Sequence, residues 1–391
     1  MYRARALILP LTCLLLLGCG SKPTREATPA AGSADGGAFA TLASDKRPIA
    51  RGVSSGGPRL ERGDYAGRGD VERFIDRMEQ QGFSRAELVR VFSQVQRDPW
   101  ILEYMERQWR PASKGSSRPT GAWSRYRAKH ITSANLSKGL AFWRRHEQTL
   151  NRAAERYGVP PEYIVAILGI ETHWGGYMGK HRIIDALSTL AFDYPRRSAY
   201  FTDELEQFLI MARDEGLNPM QPVGSFAGAM GLGQFMPSSY HEYAVDFDGS
   251  GHRDLWDAED AIGSVANYFA SHGWQTGEPV TARASAGSAV PRSMETGFKT
   301  SYRVGELKSS GVMPAVAAKD NERVSLLKLD AAGGYEYWIG FKNFYVITRY
   351  NNSTYYAMTV HQLAQALRAQ HGGRPPVRTA DVERAGSGDA S

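Results

Sequence analysis

Pro160–Gly175 reads P-P-E-Y-I-V-A-I-L-G-I-E-T-H-W-G. Its spacing predicts a helix, with Ile164, Ile167 and Leu168 on one stripe. Val165, Ala166 and Ile170 make the other faces apolar, so the helix is expected to be enclosed on most sides. Glu171 continues the apolar stripe where another aliphatic residue would fit. A carboxyl in that position has to be paired, hydrogen-bonded or kept protonated. Two readings follow. Glu171 is a structural residue serving backbone donors or an arginine, or it is a general acid, which needs its proton at rest.

Working outward, the stretch extends into a helical protein. Leu136–Tyr157 predicts one long helix ending at Gly158, and Pro160-Pro161 opens the next, since proline suits a first helical turn. Amphipathic helices are predicted over Arg197–Glu215, Glu259–His272 and Thr354–Gln370, the first two stopped by Gly216 and Gly273. Upstream, Gly69–Gly82 predicts a helix that Asp70 could cap. A second opens at Ser84 with Glu87 completing a capping box, and a third follows Asp98-Pro99. Residues 110–122, polar and proline-containing, read as a connector. Residues 275–342 lose helical periodicity and gain short β-prone runs, while Tyr335–Phe341 and Phe344–Tyr350 predict strands.

The expected fold is therefore mainly α (α+β). A helical unit spans 67–130, a helical core spans 131–274 and is completed by about 343–370, and a small β insert occupies 275–342. A disordered tail is expected over 371–391.

The N-terminus reads as an address. Arg3 and Arg5 precede the apolar run Ala6–Leu17, which is too short to span a bilayer and fits a signal peptide over residues 1–18. Leu16-Leu17-Gly18-Cys19 resembles the bacterial lipoprotein box, in which cleavage leaves a lipidated cysteine first. The other reading is a plain secretory signal with an incidental cysteine. Gly20, not Asp, follows Cys19, which in the sorting pattern of such lipoproteins implies the outer membrane, periplasmic face, of a Gram-negative bacterium. Residues 19–66, rich in Ser, Gly, Ala, Pro and Thr, read as a flexible tether behind that anchor.

Residues 1–18 hold two arginines and no acid, so without them the net charge of +6 falls by two, to +4. That mild, scattered basicity suits an anionic polymer or surface and gives no ground for nucleic acid. There is no Walker loop, dinucleotide fingerprint or aromatic–basic RNA motif. The two cysteines, Cys13 and Cys19, both fall in the leader region, so the domains beyond can hold neither a disulfide nor a cysteine zinc site.

A second unusual stretch is Gly224–Pro237, G-S-F-A-G-A-M-G-L-G-Q-F-M-P, whose small residues suit close backbone approach to a ligand or to another helix. Together I-E-T-H-W-G, S-F-A-G-A-M-G-L-G-Q-F-M-P-S, D-A-I-G-S-V-A-N-Y-F and Y-N-N-S (350–353) resemble, in order, the membrane-bound lytic murein transglycosylase B family, across about residues 70–370. The resemblance implies a lysozyme-like core. It also implies that Glu171 is a single acid/base cleaving the bond between N-acetylmuramic acid and N-acetylglucosamine in peptidoglycan glycan strands. The muramic 6-hydroxyl then closes a 1,6-anhydro ring. Ser225 and Gln234 match polar residues lining the site. Tyr268, Tyr350 and Asn351 match positions that contact substrate or orient the acid, and Arg196, Arg197 and Tyr200 match groove residues. Tyr126 and Tyr356 are carried over from less distinctive local sequence. No catalytic cofactor is implied, and protein partners in cell-wall synthesis leave no signature.

Asp246–Asp257 places oxygen-bearing side chains (Asp246, Asp248, Ser250) at positions 1, 3 and 5 of an EF-hand-like loop, with Gly251 at position 6. Position 12 is Asp257, too short for the usual bidentate grip. In the family a longer loop closes on a later acid, here Asp260, and His252 would lend its backbone carbonyl. The expectation is a structural Ca2+; the alternative is an Asx-rich turn without metal.

Ordinary glycosidases use two carboxylates, and these motifs offer one. A hydroxyl of the substrate itself, held near the anomeric carbon, can take the place of water by proximity. Asp193, Asp203 and Asp214 read as solvated surface and not as a second carboxylate. Two other functions fit the same residues less well: a hydrolytic muramidase on the same scaffold, and a non-catalytic murein-binding lipoprotein, which would not need a buried acid. A calcium sensor is disfavoured by a single imperfect loop.

Overall fold

The computed structural model describes residues 57–108, 119–286 and 294–372. The signal run, Cys19, the tether as far as residue 56, connector residues 110–118 and the tail beyond 372 lie outside the described residues.

Three helices come first: α1 (Gly69–Gln80), α2 (Arg85–Phe92) and α3 (Pro99–Gln108). Their stripes, including Val71, Phe74, Ile75, Leu88, Phe92 and Ile101, are buried in the same apolar core as the rest of the helical body. α4 (Ala122–His130), α5 (Ser133–Arg145) and α6 (Glu147–Tyr157) lead to α7 (Pro161–Thr172), the helix of Glu171. A short strand β1 (His181–Arg182) precedes α8 (Ile183–Asp193) and α9 (Ser198–Asp214). β2 (Val223–Gly224) pairs antiparallel with β1, placing Gly224 opposite His181. α10 (Pro237–Tyr243) and α11 (Ala258–Ser271) follow.

The insert contains β3 (Thr281–Ala286), β4 (Tyr302–Arg303), a helix α12 (Val304–Ser309), β5 (Val312–Pro314), β6 (Arg323–Ala331) and β7 (Gly334–Gly340). Its strands pair antiparallel in the order β4-β6-β7-β3-β5. Ala282, Val304, Leu307, Val312, Val324, Leu326, Ile339 and Phe341 form a small core of its own. α13 (Lys342–Tyr350) and α14 (Thr354–His371) return to the helical body, where α14 packs along α7.

α7 is central because apolar residues cover it on all sides. Ile164, Val165, Ala166, Ile167 and Leu168 are each fully buried, and α5, α6, α11 and α14 all pack on it. Such a helix is held by tertiary burial and not by amphipathicity.

Several sequence expectations need correction. Phe344–Tyr350 is not a strand but most of α13. Its residues favour strands in isolation, yet Asn343, Phe344, Val346 and Ile347 are buried at helical spacing. Asn343 fixes the start by donating to Gln275 O at 2.8 Å and Glu278 O at 2.9 Å and accepting from Gln275 N at 2.7 Å. Tertiary contacts outweigh β propensity here. Leu136–Tyr157 is two helices, broken at His146, whose backbone leaves the helical region at φ −111°, ψ 24°. The first begins earlier, where Thr132 accepts from Asn135 N at 3.1 Å. Arg68, not Asp70, is the N-cap of α1, and Asp70 instead pairs with Arg68 at 2.6 Å. His371 is not tail but the last residue of α14, stacked on Trp143 with ring centroids 4.3 Å apart. α4 begins at Ala122, where the predicted connector ends, and α12 lies within the predicted β insert; neither shows a periodic apolar stripe in sequence.

Candidate active site

Glu171 stands in the last turn of α7. The chain leaves this helix through His173 (φ 51°) and Trp174 (φ 60°), two consecutive non-glycine residues in the left-handed region. Such strain persists only where the surroundings enforce it. Here Trp174 Nε1 donates to Val165 O at 2.9 Å, and the indole packs against Gly169. A Cβ on Gly169 would fall 2.4 Å from the ring, so glycine is required. Thr172 Oγ1 donates to Leu232 O at 3.0 Å and accepts from Gly175 N at 3.1 Å. That hydroxyl ties the acid-bearing turn to the glycine-rich loop.

The sequence suggested a buried acid; the structure leaves Glu171 half-buried at the surface of a tyrosine-walled cleft. Tyr356, on α14, is buried and donates its hydroxyl to Glu171 Oε1. Tyr126 on α4 and Tyr350 at the end of α13 are close enough for the charge of Glu171 to act on their hydroxyls. Burial pushes the carboxyl up to about 7, against the opposing effect of the Tyr356 bond. Burial, with the charge of Glu171 added, pushes Tyr126 up to about 12 and Tyr350 and Tyr356 well above the usual tyrosine range. All three phenols are thus neutral donors at physiological pH.

Other carboxylates are engaged elsewhere. Asp193 binds Arg68 at 2.6 Å and Arg97 at 3.0 Å, Asp214 pairs with Arg213 at 2.9 Å, and Asp203 is exposed.

The loop from Gly224 to Phe235 runs past this cleft. Tyr350 Oη donates to Gly233 O at 2.5 Å, linking the loop to the tyrosine wall. Gln234, in the left-handed region at φ 53°, donates Nε2 to Gly231 O at 2.9 Å and Met178 O at 3.2 Å. Its Oε1 is buried and has no hydrogen-bond partner among the described residues, as is Asn351 Oδ1 next to Tyr350. Ser225 is buried and holds its own loop, with Oγ accepting from Ala227 N at 3.3 Å and Ala229 N at 2.9 Å. Tyr268 forms a second layer. Its hydroxyl donates to Arg349 O at 2.6 Å and its ring meets Tyr350 edge-on, with centroids 4.8 Å apart. Arg196, Arg197 and Tyr200 stand at the start of α9, with Arg197 4.2 Å over the Tyr200 ring and Arg196 3.4 Å from Glu106. These two contacts lie between α3 and the start of α9.

The sequence reading missed the clasp between α7 and α14. Tyr163 Oη lies 2.9 Å from His361 Nδ1, and Arg368 donates to the buried Glu162 at 3.0 Å. An acidic residue in a first helical turn, as Glu162 is, looks like an ordinary dipole partner in sequence, which hid it.

In the acidic loop, ligand oxygens of Asp246, Asp248 and Asp260 lie within 4.8 Å of one another. Asp260 is buried, and its Oδ1 accepts from Phe247 N at 2.6 Å and its Oδ2 from Asp254 N at 2.7 Å. Ser250 Oγ lies 3.3 Å from the His252 carbonyl. Asp257 faces away as the cap of α11, accepting from Glu259 N at 2.7 Å. This donor set is all oxygen and carries three negative charges, which fits a hard cation such as calcium.

With that geometry in place, the comparisons are specific. The Transglycosylase SLT domain matches residues 67–365. The membrane-bound lytic murein transglycosylase B of Escherichia coli (strain K12) is 48% identical over 369 residues, which cover 94% of this chain and 98% of that protein. The E. coli lytic transglycosylase Slt35, solved in complex with calcium, superposes with a TM-score of 0.74 at 51% identity, covering 79% of this chain and 96% of that one. SltB3 from Pseudomonas aeruginosa, solved in complex with NAG-anhNAM-pentapeptide, gives a TM-score of 0.66 at 30% identity, covering 78% and 80%.

Proposed function

The chain belongs to the lytic transglycosylases that carry the Transglycosylase SLT domain, and on that premise we propose how it acts. It is a peptidoglycan lytic transglycosylase with a lysozyme-like fold. In the proposed reaction, Glu171 gives its proton to the oxygen linking N-acetylmuramic acid to N-acetylglucosamine, and the C1–O4 bond breaks. The carboxylate then takes the proton of the muramic 6-hydroxyl as O6 bonds to C1. Glu171 ends protonated again, no water is consumed, and the product is a 1,6-anhydro sugar.

The observation that carries this reading is one carboxyl, raised to about 7, inside a wall of neutral tyrosines. A group at that value can give and take a proton near neutral pH. The Tyr356 bond orients one carboxyl oxygen and leaves Oε2 for the substrate. Gln234 Oε1 and Asn351 Oδ1 are unpaired acceptors, suited to N–H or O–H groups of the sugar or its peptide. The anhydro sugar in the SltB3 complex is in keeping with this product. Mass spectrometry of digested murein sacculi tests it. Anhydro-muramic ends are expected, and reducing muramic ends alone would point to a water-using muramidase. Activity at parental rate in Glu171→Gln would remove Glu171 from the mechanism.

Asp246, Asp248 and Asp260, with Ser250 Oγ and the His252 carbonyl, would hold a structural Ca2+, as the calcium complex of Slt35 suggests. It would take no part in proton transfer. The proposed anchor is lipid on Cys19 at the periplasmic face of the outer membrane, in keeping with a relative named as membrane-bound. No described helix is long and apolar enough to cross a membrane. Loss of radiolabelled palmitate incorporation in Cys19→Ser is the expected result.

A further inference from the structure

α4 begins without a cap of its own. Its N-cap is Gly121, left-handed at φ 71°, and its first turn holds no acidic residue. The missing carboxylate comes from the β insert, 210 residues away in the chain. Asp330 Oδ1 accepts from Thr120 N at 2.7 Å and Gly121 N at 2.9 Å, and Oδ2 accepts from the Thr120 hydroxyl. That hydroxyl bond and the two N–H groups hold Asp330 below the usual carboxylate range. A negative charge at a helix N-terminus also complements its dipole.

The contact continues around the β6–β7 turn. Ala332 N donates to Ser124 Oγ at 3.0 Å. A Cβ on Gly121 would fall 3.3 Å from Ala332 Cα, so the hairpin is in contact with the start of α4. From there α4 reaches the cleft. Trp123 and Tyr126 pack on Tyr355 with centroids 5.4 and 5.9 Å apart, and Tyr355 precedes the Tyr356 that binds Glu171.

We propose that the β6–β7 hairpin is a positioning device for the active site, with Asp330 as its positioning residue. It seats α4, through the packing of Trp123 and Tyr126 on Tyr355, so that Tyr126 closes the tyrosine wall and keeps water from the Glu171 carboxyl. This rests on the reading of Glu171 as the acid, and it gives the insert a role in the reaction without contact to the reacting atoms. The groups that face Glu171 are Tyr126 from α4, Tyr350 from α13 and Tyr356 from α14. On its own segment His173 follows, itself depressed by burial and by Lys138 of α5.

The test reads Glu171 directly. In full-length protein labelled at glutamate carboxyl carbons, Glu171→Gln identifies the resonance, and its midpoint is followed by NMR. In Asp330→Ala the opened wall hydrates the carboxyl, so the midpoint is expected to fall by about half a unit or more and kcat by about threefold or more. Asp330→Asn keeps an oxygen for the Thr120 and Gly121 N–H groups and is expected to restore most of both. Asp320→Ala removes a surface pair to Lys308 (2.7 Å) in the same insert and is expected to leave the midpoint in place. A folded Asp330→Ala with an unmoved midpoint, or an equal shift in Asp320→Ala, overturns the proposal. Should Asp330→Ala not fold, Ser124→Ala carries the test, and an unmoved midpoint there overturns it too. Retained activity in Glu171→Gln is a separate result that strikes the acid assignment alone.

Discussion

At Glu171 two effects pull in opposite directions. Burial favours the neutral acid, and the Tyr356 hydroxyl, by donating to Oε1, favours the anion. Burial is the larger, so the carboxyl stays protonated up to about 7. Tyr356→Phe removes the hydroxyl that favours the anion. The midpoint of Glu171 is then expected to rise, moving the alkaline limb of the kcat/KM profile up by about half a unit, while kcat falls about tenfold or more as the carboxyl loses its orientation. Steady-state rates on a soluble muropeptide across pH check both. The same shift has a consequence for stability. The folded value lies above the ordinary glutamate value of 4.5, so the folded chain holds a proton that the unfolded chain releases between about 4.5 and 7. Stability is therefore lost as pH rises through that window, and the penalty is complete above it. Glu171→Gln carries no such charge, and melting curves are expected to show it more stable than the parent at pH 8 by on the order of 1 kcal/mol. The gap should close toward pH 4.5.

At the scale of elements, the acid is placed by the way α7 ends. Helix propensity alone says that Gly169→Ala should stabilise α7 by up to about 1 kcal/mol. The structure reverses the sign, because the new methyl would meet the Trp174 ring 2.4 Å away. Overpacking of this kind costs about 1–3 kcal/mol. It would also push Trp174 from Val165 O and disturb the left-handed turn beside Glu171, so a lower melting temperature together with reduced kcat is expected. The sequence revealed α7 clearly, because its apolar run, Pro160-Pro161 and Gly175 all agree locally. It misled where local and tertiary preferences part. Phe344–Tyr350 carries strand-forming residues, yet Asn343 and the packing on α14 impose a helix. Leu136–Tyr157 has no proline or glycine at His146 to announce the break. Tyr356 stands among ordinary residues of an amphipathic helix, and nothing in its neighbourhood shows that it reaches a carboxyl 185 residues earlier.

Across the whole molecule the same division appears. The lysozyme-like core was legible because its motifs are contiguous, and the β character of 275–342 because its periodicity changes. The docking of that insert on α4 was not, since Asp330 and Thr120 stand 210 residues apart and no local pattern links them. The acidic loop is intermediate: Asp246 and Asp248 announce themselves by spacing, while Asp260 is buried in the first turn of α11 and faces the same point. Three carboxylates within 4.8 Å repel one another unless a cation joins them. Backbone N–H groups from Phe247, Asp248, Gly249, Ser250 and Gly251 already offset part of that repulsion, which lets the loop keep its shape at moderate cost. Calcium held there, as proposed, would act by mass action on the folded state, adding RT ln(1 + [Ca2+]/Kd), or about 2.7 kcal/mol at a hundredfold excess over Kd. The melting temperature is expected to rise with added calcium and to fall with EGTA. Magnesium should do less, because it demands a tighter octahedral shell. Asp248→Asn, at an exposed ligand position, should weaken the calcium response strongly while leaving the calcium-free melting temperature within a few degrees of the parent. Glu171 is hydrogen-bonded from α14 and walled by α4 and α13, none of which contributes a ligand. Turnover at temperatures well below melting is therefore expected to change by less than about twofold on calcium removal. A large loss of kcat under those conditions, with the fold intact, would mean that the loop couples to the cleft through α11 and Tyr268, and that the ion does more than hold the chain together.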